Sequence, residues 1–192
     1  RTFLIGEPTQ EYKIDYTLTL KSLINLSRTI FLDGSTGQTI DIRAREFMWE
    51  RGLDYKCGTG HGVSYMLNVH EGPNGFRYKK VPERDDQDKI VPGMITTIEP
   101  GVYKANKYGI RIENNLLCVN AFENENGTFY KFETITYVPI GVEALDLSLL
   151  NDEEIEWLNN YHQLVYDKLS ILIDDPELLS YLRIKTKRIS KN

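Results

Sequence analysis

Three short runs carry side chains able to do chemistry together. Gly58-Thr59-Gly60-His61-Gly62 sets an imidazole between glycines. Glu99-Pro100-Gly101 ends an apolar run in a carboxylate, and Gly109-Ile110-Arg111-Ile112-Glu113-Asn114 carries a second acid on an alternating stretch. One imidazole with two carboxylates suits a hard-to-borderline divalent ion such as Mn²⁺ better than an ion that prefers thiolate. His61, Glu99 and Glu113 are therefore the candidate metal ligands. Glycine on both sides of His61 lets backbone or ligand approach closely. The run Met94-Ile95-Thr96-Thr97-Ile98 stops abruptly at Glu99, and a buried acid there costs free energy unless it is paired. The set is too small for two metals. On a strand, Arg111 and Glu113 share one face, so a structural ion pair is the alternative reading of the same residues.

His70 precedes Glu71-Gly72-Pro73, where it can move a proton, touch a substrate or simply cap a turn. His162 falls on a helical apolar stripe and reads as a packed core histidine. Cys57 lies four residues before His61 in the glycine-rich run. It is expected to line the same cleft as a neutral thiol, because a nucleophilic thiolate needs a nearby base or cation. Lys56 is expected to point to the opposite side of an extended segment. The charges from Glu83 to Lys89 read as a solvated loop.

These residues need elements to hold them. A helix is expected after Pro8, with Thr9 as its N-cap and Tyr12, Tyr16, Leu20, Leu23, Ile24 and Ile30 at helical spacing. A second spans residues 39–51, with Ile40, Ala44, Phe47 and Met48 inward and Gly52 as its stop. Strands are expected over 63–69, 94–99, 110–119 and 129–138. Asn151-Asp152-Glu153-Glu154 reads as a capping box, opening a long helix with Ile155, Leu158, His162, Val165 and Leu169 on one stripe. A short helix follows over 176–184, then a basic tail that frays or docks on a neighbour. The chain reads as one domain, with a core over 1–150 and a helical extension over 151–192.

Bulk properties narrow the classes. A length of 192 residues buries one sizeable core. The net charge of -5 argues against a nucleic-acid partner, which needs a basic face. No apolar run approaches the roughly 20 residues of a membrane span. Two cysteines give no disulfide framework, and a reducing, cytoplasmic setting is the simpler reading.

Taken in order, the runs around His61, Leu67-Asn68-Val69-His70-Glu71-Gly72-Pro73, Glu99-Pro100-Gly101-Val102-Tyr103 and Gly109 to Asn114 resemble the pita-bread metallopeptidases of family M24. Within them they resemble the Xaa-Pro aminopeptidases, and Trp157-Leu158-Asn159-Asn160-Tyr161-His162 looks like the terminal helix of cytosolic-type members. The resemblance implies an α+β fold, a curved and mostly antiparallel sheet with helices outside. It implies a two-Mn²⁺ site, a metal-bridging hydroxide, and release of an N-terminal residue that precedes proline. On that likeness His61, Glu99 and Glu113 match metal ligands, Glu113 the bridging one. His70 and Glu99 match catalytic groups, and His70, Tyr103, Arg111 and Cys57 fall where substrate is held. A homodimer acting on peptides with proline second is the implied assembly.

Two departures accompany the likeness. The family's two ligand aspartates precede the segment that begins here at Arg1-Thr2, so this chain is expected to lack the N-terminal part of its fold and to be inactive alone. Cys57 stands where the family usually has histidine, and Ser64 where glycine is usual. A module that binds without cutting is therefore the rival from another class. A methionine or proline-dipeptide peptidase of the same fold is the enzymatic rival, and the Trp157 to His162 run speaks against it.

Overall fold

The computed structural model describes residues 1–66, 68–84 and 86–191. Leu67, Asp85 and Asn192 lie outside the described residues, and with them parts of the expected strand over 63–69, the charge cluster and the basic tail. The chain forms two compact units, one of Arg1–Leu18 with Tyr137–Asn192 and one of Thr19–Thr136.

Helix α1, Gln10–Ser27, starts as expected, with the Tyr12 N–H donating to Thr9 Oγ1 at 3.2 Å. Its apolar stripe understates its burial, since residues 15–27 are buried on every side. A helix can sit so deep only if its polar side chains are satisfied locally. Thr17 Oγ1 donates to the Lys13 carbonyl and Asn25 Nδ2 to the Lys21 carbonyl. Ile30, expected inward, lies past the helix end and is exposed.

The Thr19–Thr136 unit holds the remaining strands and two short helices. The single helix expected over 39–51 is two, α2 (Gly37–Ile40) and α3 (Ile42–Trp49). Thr36 opens α2 in a capping box with Thr39, two residues before the expected start. Asp41 separates them, its carboxylate turned inward to Arg45 and Thr59. Ile40, Ala44 and Met48 are buried as expected, Phe47 only partly. Gly52 ends the segment at φ +65°, a conformation costly for other residues.

Strands β1 (Phe31–Leu32), β2 (Gly60–His61), β3 (Gly75–Phe76), β4 (Ile95–Ile98), β5 (Gly101–Lys104), β6 (Tyr108–Arg111), β7 (Asn114–Asn124) and β8 (Gly127–Thr134) follow. All pair antiparallel, in a four-stranded sheet of order β1-β8-β7-β4 and in two ladders, β2-β3 and β5-β6. The strand expected over 63–69 does not form among its described residues. Local bonds take its backbone instead: the Ser64 N–H donates to the Asn68 carbonyl, and the Met66 N–H to Ser64 Oγ. β8 starts and ends earlier than expected, turning from β7 at Gly127.

One interruption matters for everything below. The strand expected over 110–119 is split between β6 and β7. Ile98 pairs with Asn114 and Gly101 with Arg111, so the same register continues across the gap. The ladder thins between them because Pro100 has no N–H to return to Ile112, whose own N–H still reaches the Pro100 carbonyl at 3.4 Å. The Glu99 N–H faces the other edge and donates to the Thr59 carbonyl at 2.6 Å. The alternation survives the break: Ile110, Ile112, Asn114, Leu116 and Cys118 are buried. Arg111 and Glu113 keep the other face, half-buried. Continuing the register sets Glu99 opposite Glu113.

In the other unit, α4 (Asp152–Ser170) opens on the expected capping box of Asn151 and Glu154, and α5 (Pro176–Lys185) is capped by Asp175. Ile155, Leu158, His162 and Val165 are buried on α4, with Leu169 half-buried. His162 Nε2 accepts the Ile140 N–H at 3.1 Å, and burial pushes its pKa down to about 4. The basic tail docks on this unit's own helix, where the Asn159 side chain bonds both the N–H and the carbonyl of Ile189. No helix among the described residues is long and apolar enough to cross a membrane.

Candidate active site

β2 brings His61 beside β4. The His61 N–H donates to Thr97 Oγ1 at 3.0 Å, and Thr96 Oγ1 donates to the His61 carbonyl at 2.9 Å. This closeness explains the flanking glycines. A Cβ at Gly60 would stand 1.9 Å from the Thr97 carbonyl oxygen, and one at Gly62 would stand 2.3 Å from that of Glu71. Both contacts are with backbone, so neither position takes a larger residue without moving a strand.

Glu99 is buried and held on both oxygens. Oε1 accepts from Thr97 Oγ1 at 2.9 Å and lies 2.7 Å from His61 Nε2, while Arg111 Nη1 bonds Oε2. Burial alone would raise its pKa, but the bonds from His61 and Thr97 and the charge of Arg111 hold it below the usual carboxylate range. His61 is the mirror case. Burial pulls its imidazole down, and the Glu99 bond, the Gly62 carbonyl and the charges of Glu99 and Glu113 carry it above its ordinary value. Glu113 is pushed up, first by burial and then by the Glu99 charge. Arg111, anticipated as a partner of Glu113, bonds Glu99, and its charge also pulls Glu113 down against that rise.

A cleft of about 300 Å³ opens here, lined by Cys57, His61, His70, Glu99 and Arg111 among others. His70 is exposed, its ring edge-on to that of His61 with centroids 4.3 Å apart. Cys57 Sγ points at the Gly101 carbonyl at 3.7 Å. Lys56, expected to face away, lines the same cleft, because residues 53–59 are irregular and strand alternation does not govern them. Tyr103 lies outside the lining. Its ring packs on Gly101 and Gly109, under the Arg111 guanidinium at 5.7 Å from the centroid.

A supporting network escaped the sequence reading. Arg45 is wholly buried on α3 and bonds Asp41 at 2.5 Å, Asp54 at 2.8 Å, and the carbonyls of Tyr55 and Cys57 at 2.8 and 3.0 Å. Thr59 bonds Asp41 and Tyr55 in turn. Together they fix the irregular segment that delivers Cys57 and leads into His61. Its signal was present, since Asp41 and Arg45 stand at i, i+4 on a helix. The helix was read by its apolar positions alone, which gave Asp41 and Arg45 no role. The charge cluster holds a second surprise. Asp86 is buried and accepts from Arg77 Nε at 3.0 Å and Gln87 Nε2 at 2.8 Å.

The donor set suits a divalent cation in kind. His61 Nδ1 lies 2.8 Å from the Gly62 carbonyl and Nε2 is directed at Glu99 Oε1, so that a cation taking up the Nε2 proton's place would meet both groups. Two carboxylates that oppose each other's charge are eased by a cation between them. In number the set falls short: among the described residues no group of three or more His, Cys, Asp or Glu stands placed to hold an ion by itself.

Comparisons with known proteins agree with this arrangement. The model of metallopeptidase family M24 matches residues 1–120, and the model of the C-terminal region of peptidase M24 matches residues 128–189. A probable Xaa-Pro aminopeptidase P of Aspergillus flavus is 39% identical over 204 residues, covering 100% of this chain. One of Tuber melanosporum is 41% identical over 188 residues, covering 94%. This chain spans 29% of the length of either relative. Among solved structures, X-prolyl aminopeptidase of Caenorhabditis elegans, described as a cytosolic enzyme with a di-nuclear active site, superposes with a TM-score of 0.86 at 39% identity. The match covers 95% of this chain and 30% of that one. A Xaa-Pro dipeptidase of Bacillus anthracis gives a TM-score of 0.54 at 30% identity, over 73% of this chain and 35% of that one.

Proposed function

This chain belongs to metallopeptidase family M24, and we propose that it supplies part of the catalytic domain of a metal-dependent Xaa-Pro aminopeptidase. The observation that carries this reading is the convergence of His61, His70, Glu99 and Arg111 on one cleft, with Glu113 feeling the Glu99 charge and His61 feeling that of Glu113. In this reading His61, Glu99 and Glu113 hold divalent ions, Mn²⁺ first among them, in company with ligands that this chain does not carry. Such ions lower the pKa of water and polarise a carbonyl.

The chain's own residues do the rest. The Gly62 carbonyl orients the His61 ring so that Nε2 faces the ligand side. Arg111 and Thr97 fix the rotamer of Glu99, so the acid is already placed before anything binds. His70 stands exposed against His61 at the cleft, where it meets the peptide and can pass a proton. Cys57 lines the cleft, and Tyr103, exposed beside the Arg111 guanidinium, completes the set that meets substrate in this reading. The substrate in this reading is a peptide with proline second, and the setting is cytoplasmic. A homodimer is part of the same reading, supported by Leu178, Tyr181 and Ile184, which stand exposed on α5.

The test is release of the first residue from such peptides by the full-length protein, before metal removal, after it, and after return of Mn²⁺. Loss with chelation and recovery with Mn²⁺ is expected. A full-length protein that binds these peptides but never cleaves them, with metal loaded, supports the rival of a binding module, which Cys57 favours.

A further inference from the structure

Beyond the ligand cluster, the cleft has a cationic wall. Among the described residues, Lys56, Arg77 and Arg84 line it together with Arg111, against a single lining acid, Glu99. That acid is already bonded by His61, Thr97 and Arg111. The concentration is local, because the whole chain carries a net charge of -5.

Each cation is held there by a separate segment. Arg77 follows β3, and its Nε is fixed by the buried Asp86, which Gln87 also bonds. Its guanidinium lies over Gly58, where a Cβ would come within 2.6 Å of Nη1. Glycine at that position leaves the arginine its place. Arg84 is set by a turn in which its N–H donates to the Val81 carbonyl at 3.0 Å. Lys56 sits between Tyr55 and Cys57, whose carbonyls Arg45 clamps. Asp86 pairs with Arg77 and also feels the Arg84 charge, and Glu71 lies with Arg84 on the adjoining surface beside His61 and His70.

Like charges gathered in a concave site repel one another and focus a positive potential into it. An anionic ligand relieves that repulsion. We propose that this wall binds a carboxylate on the peptide itself, the side chain of an aspartate or glutamate, so that the protein prefers acidic peptides. The proposal rests on the peptidase reading of the same cleft. It assigns to Arg77, Arg84 and Lys56 the choice among peptides, and leaves the placing of the scissile bond to the residues described above. Ion pairs at a half-exposed wall are individually modest, so the preference comes from the three acting together.

The experiment uses the full-length protein and amidated peptides with proline second, carrying Glu, Gln or Lys at the first or the third position. A Gln peptide with a free C-terminus is included. Binding is read by calorimetry on chelator-treated protein, so affinity is measured apart from turnover, and kcat/KM is read on the metal-loaded protein. A Glu peptide is expected to bind about tenfold tighter than its Gln partner at low salt, with the Lys peptide weakest. The ratio is expected to shrink toward one at about 0.5 M salt. Arg77→Gln and Arg84→Gln are each expected to lower the Glu-to-Gln ratio at least threefold. Arg77→Gln exposes Asp86 to an unfolding risk, and the Arg84→Gln, Lys56→Gln double variant tests the wall without touching that pair.

Equal binding of Glu and Gln peptides within twofold would overturn the proposal. So would a ratio that survives in the double variant, or a gain that follows only the free C-terminus. Preference in binding without any cleavage upholds the wall and sinks the peptidase reading. Cleavage without preference does the reverse.

Discussion

Glu99 is the side chain on which the site is built, and its surroundings can be followed bond by bond. It ends an apolar strand, so an unpaired acid there would be costly, and His61, Thr97 and Arg111 meet that cost. The need for a partner was legible in the sequence, and Arg111 meets it by bonding Glu99 while its charge also acts on Glu113. Cys57 is a second case. Its neighbour Lys56 does line the cleft, yet the thiol points at the Gly101 carbonyl, as a hydrogen-bond donor would. Cys57→Ser is therefore expected to keep most of the full-length protein's rate, and Cys57→His to keep or raise it. A dead Cys57→Ser variant with metal still bound, and a thiol pKa measured well below 7, would point to cysteine chemistry instead. Arg45 makes a third. Removing it leaves Asp41 buried and uncompensated, so Arg45→Ala is expected to cost about 3–5 kcal/mol in denaturant unfolding. A loss under about 1 kcal/mol would show that the network is not holding the segment.

Elements were legible where their ends carry side-chain chemistry. Thr9, Asn151 with Glu154, and Gly52 marked helix boundaries that the structure keeps. The strand over 63–69 gave way to local bonds around Ser64, and the unbroken strand over 110–119 failed because the strand opposite it carries Pro100, which has no N–H to give. For α4 two outcomes follow. Leu158 is wholly buried, so Leu158→Ala is expected to cost roughly 2–5 kcal/mol. An unchanged denaturation midpoint would remove it from the core. His162 is buried neutral with its pKa pushed down from about 6.5 to about 4. Because the folded-state value is the lower, its contribution is complete above the unfolded value and is lost as pH falls from about 6.5 toward 4. Between pH 7 and pH 5 that amounts to about 2 kcal/mol. Unfolding free energies of the wild type and His162→Gln, measured at both pH values, should differ in slope by about this amount. Identical slopes would mean that the ring is already charged in the fold.

At the scale of the molecule, the α+β pita-bread fold was legible in four short motifs and their order. Two features were not. The division into two compact units depends on which distant segments pack together, and the cationic wall depends on Arg77 and Arg84 being carried into the cleft by loops without periodicity. The proposed role of His61, Glu99 and Glu113 is to hold one share of a two-ion site. The most direct measurement is the metal content of the full-length protein, wild type against Glu113→Gln, by elemental mass spectrometry, with circular dichroism as the control for folding. The amide keeps the shape of the acid and loses the charge a cation needs. The expected result is two ions per wild-type chain, and at most one in a folded Glu113→Gln protein that no longer cleaves peptides with proline second. A folded Glu113→Gln protein that keeps both ions and its full rate would contradict the account.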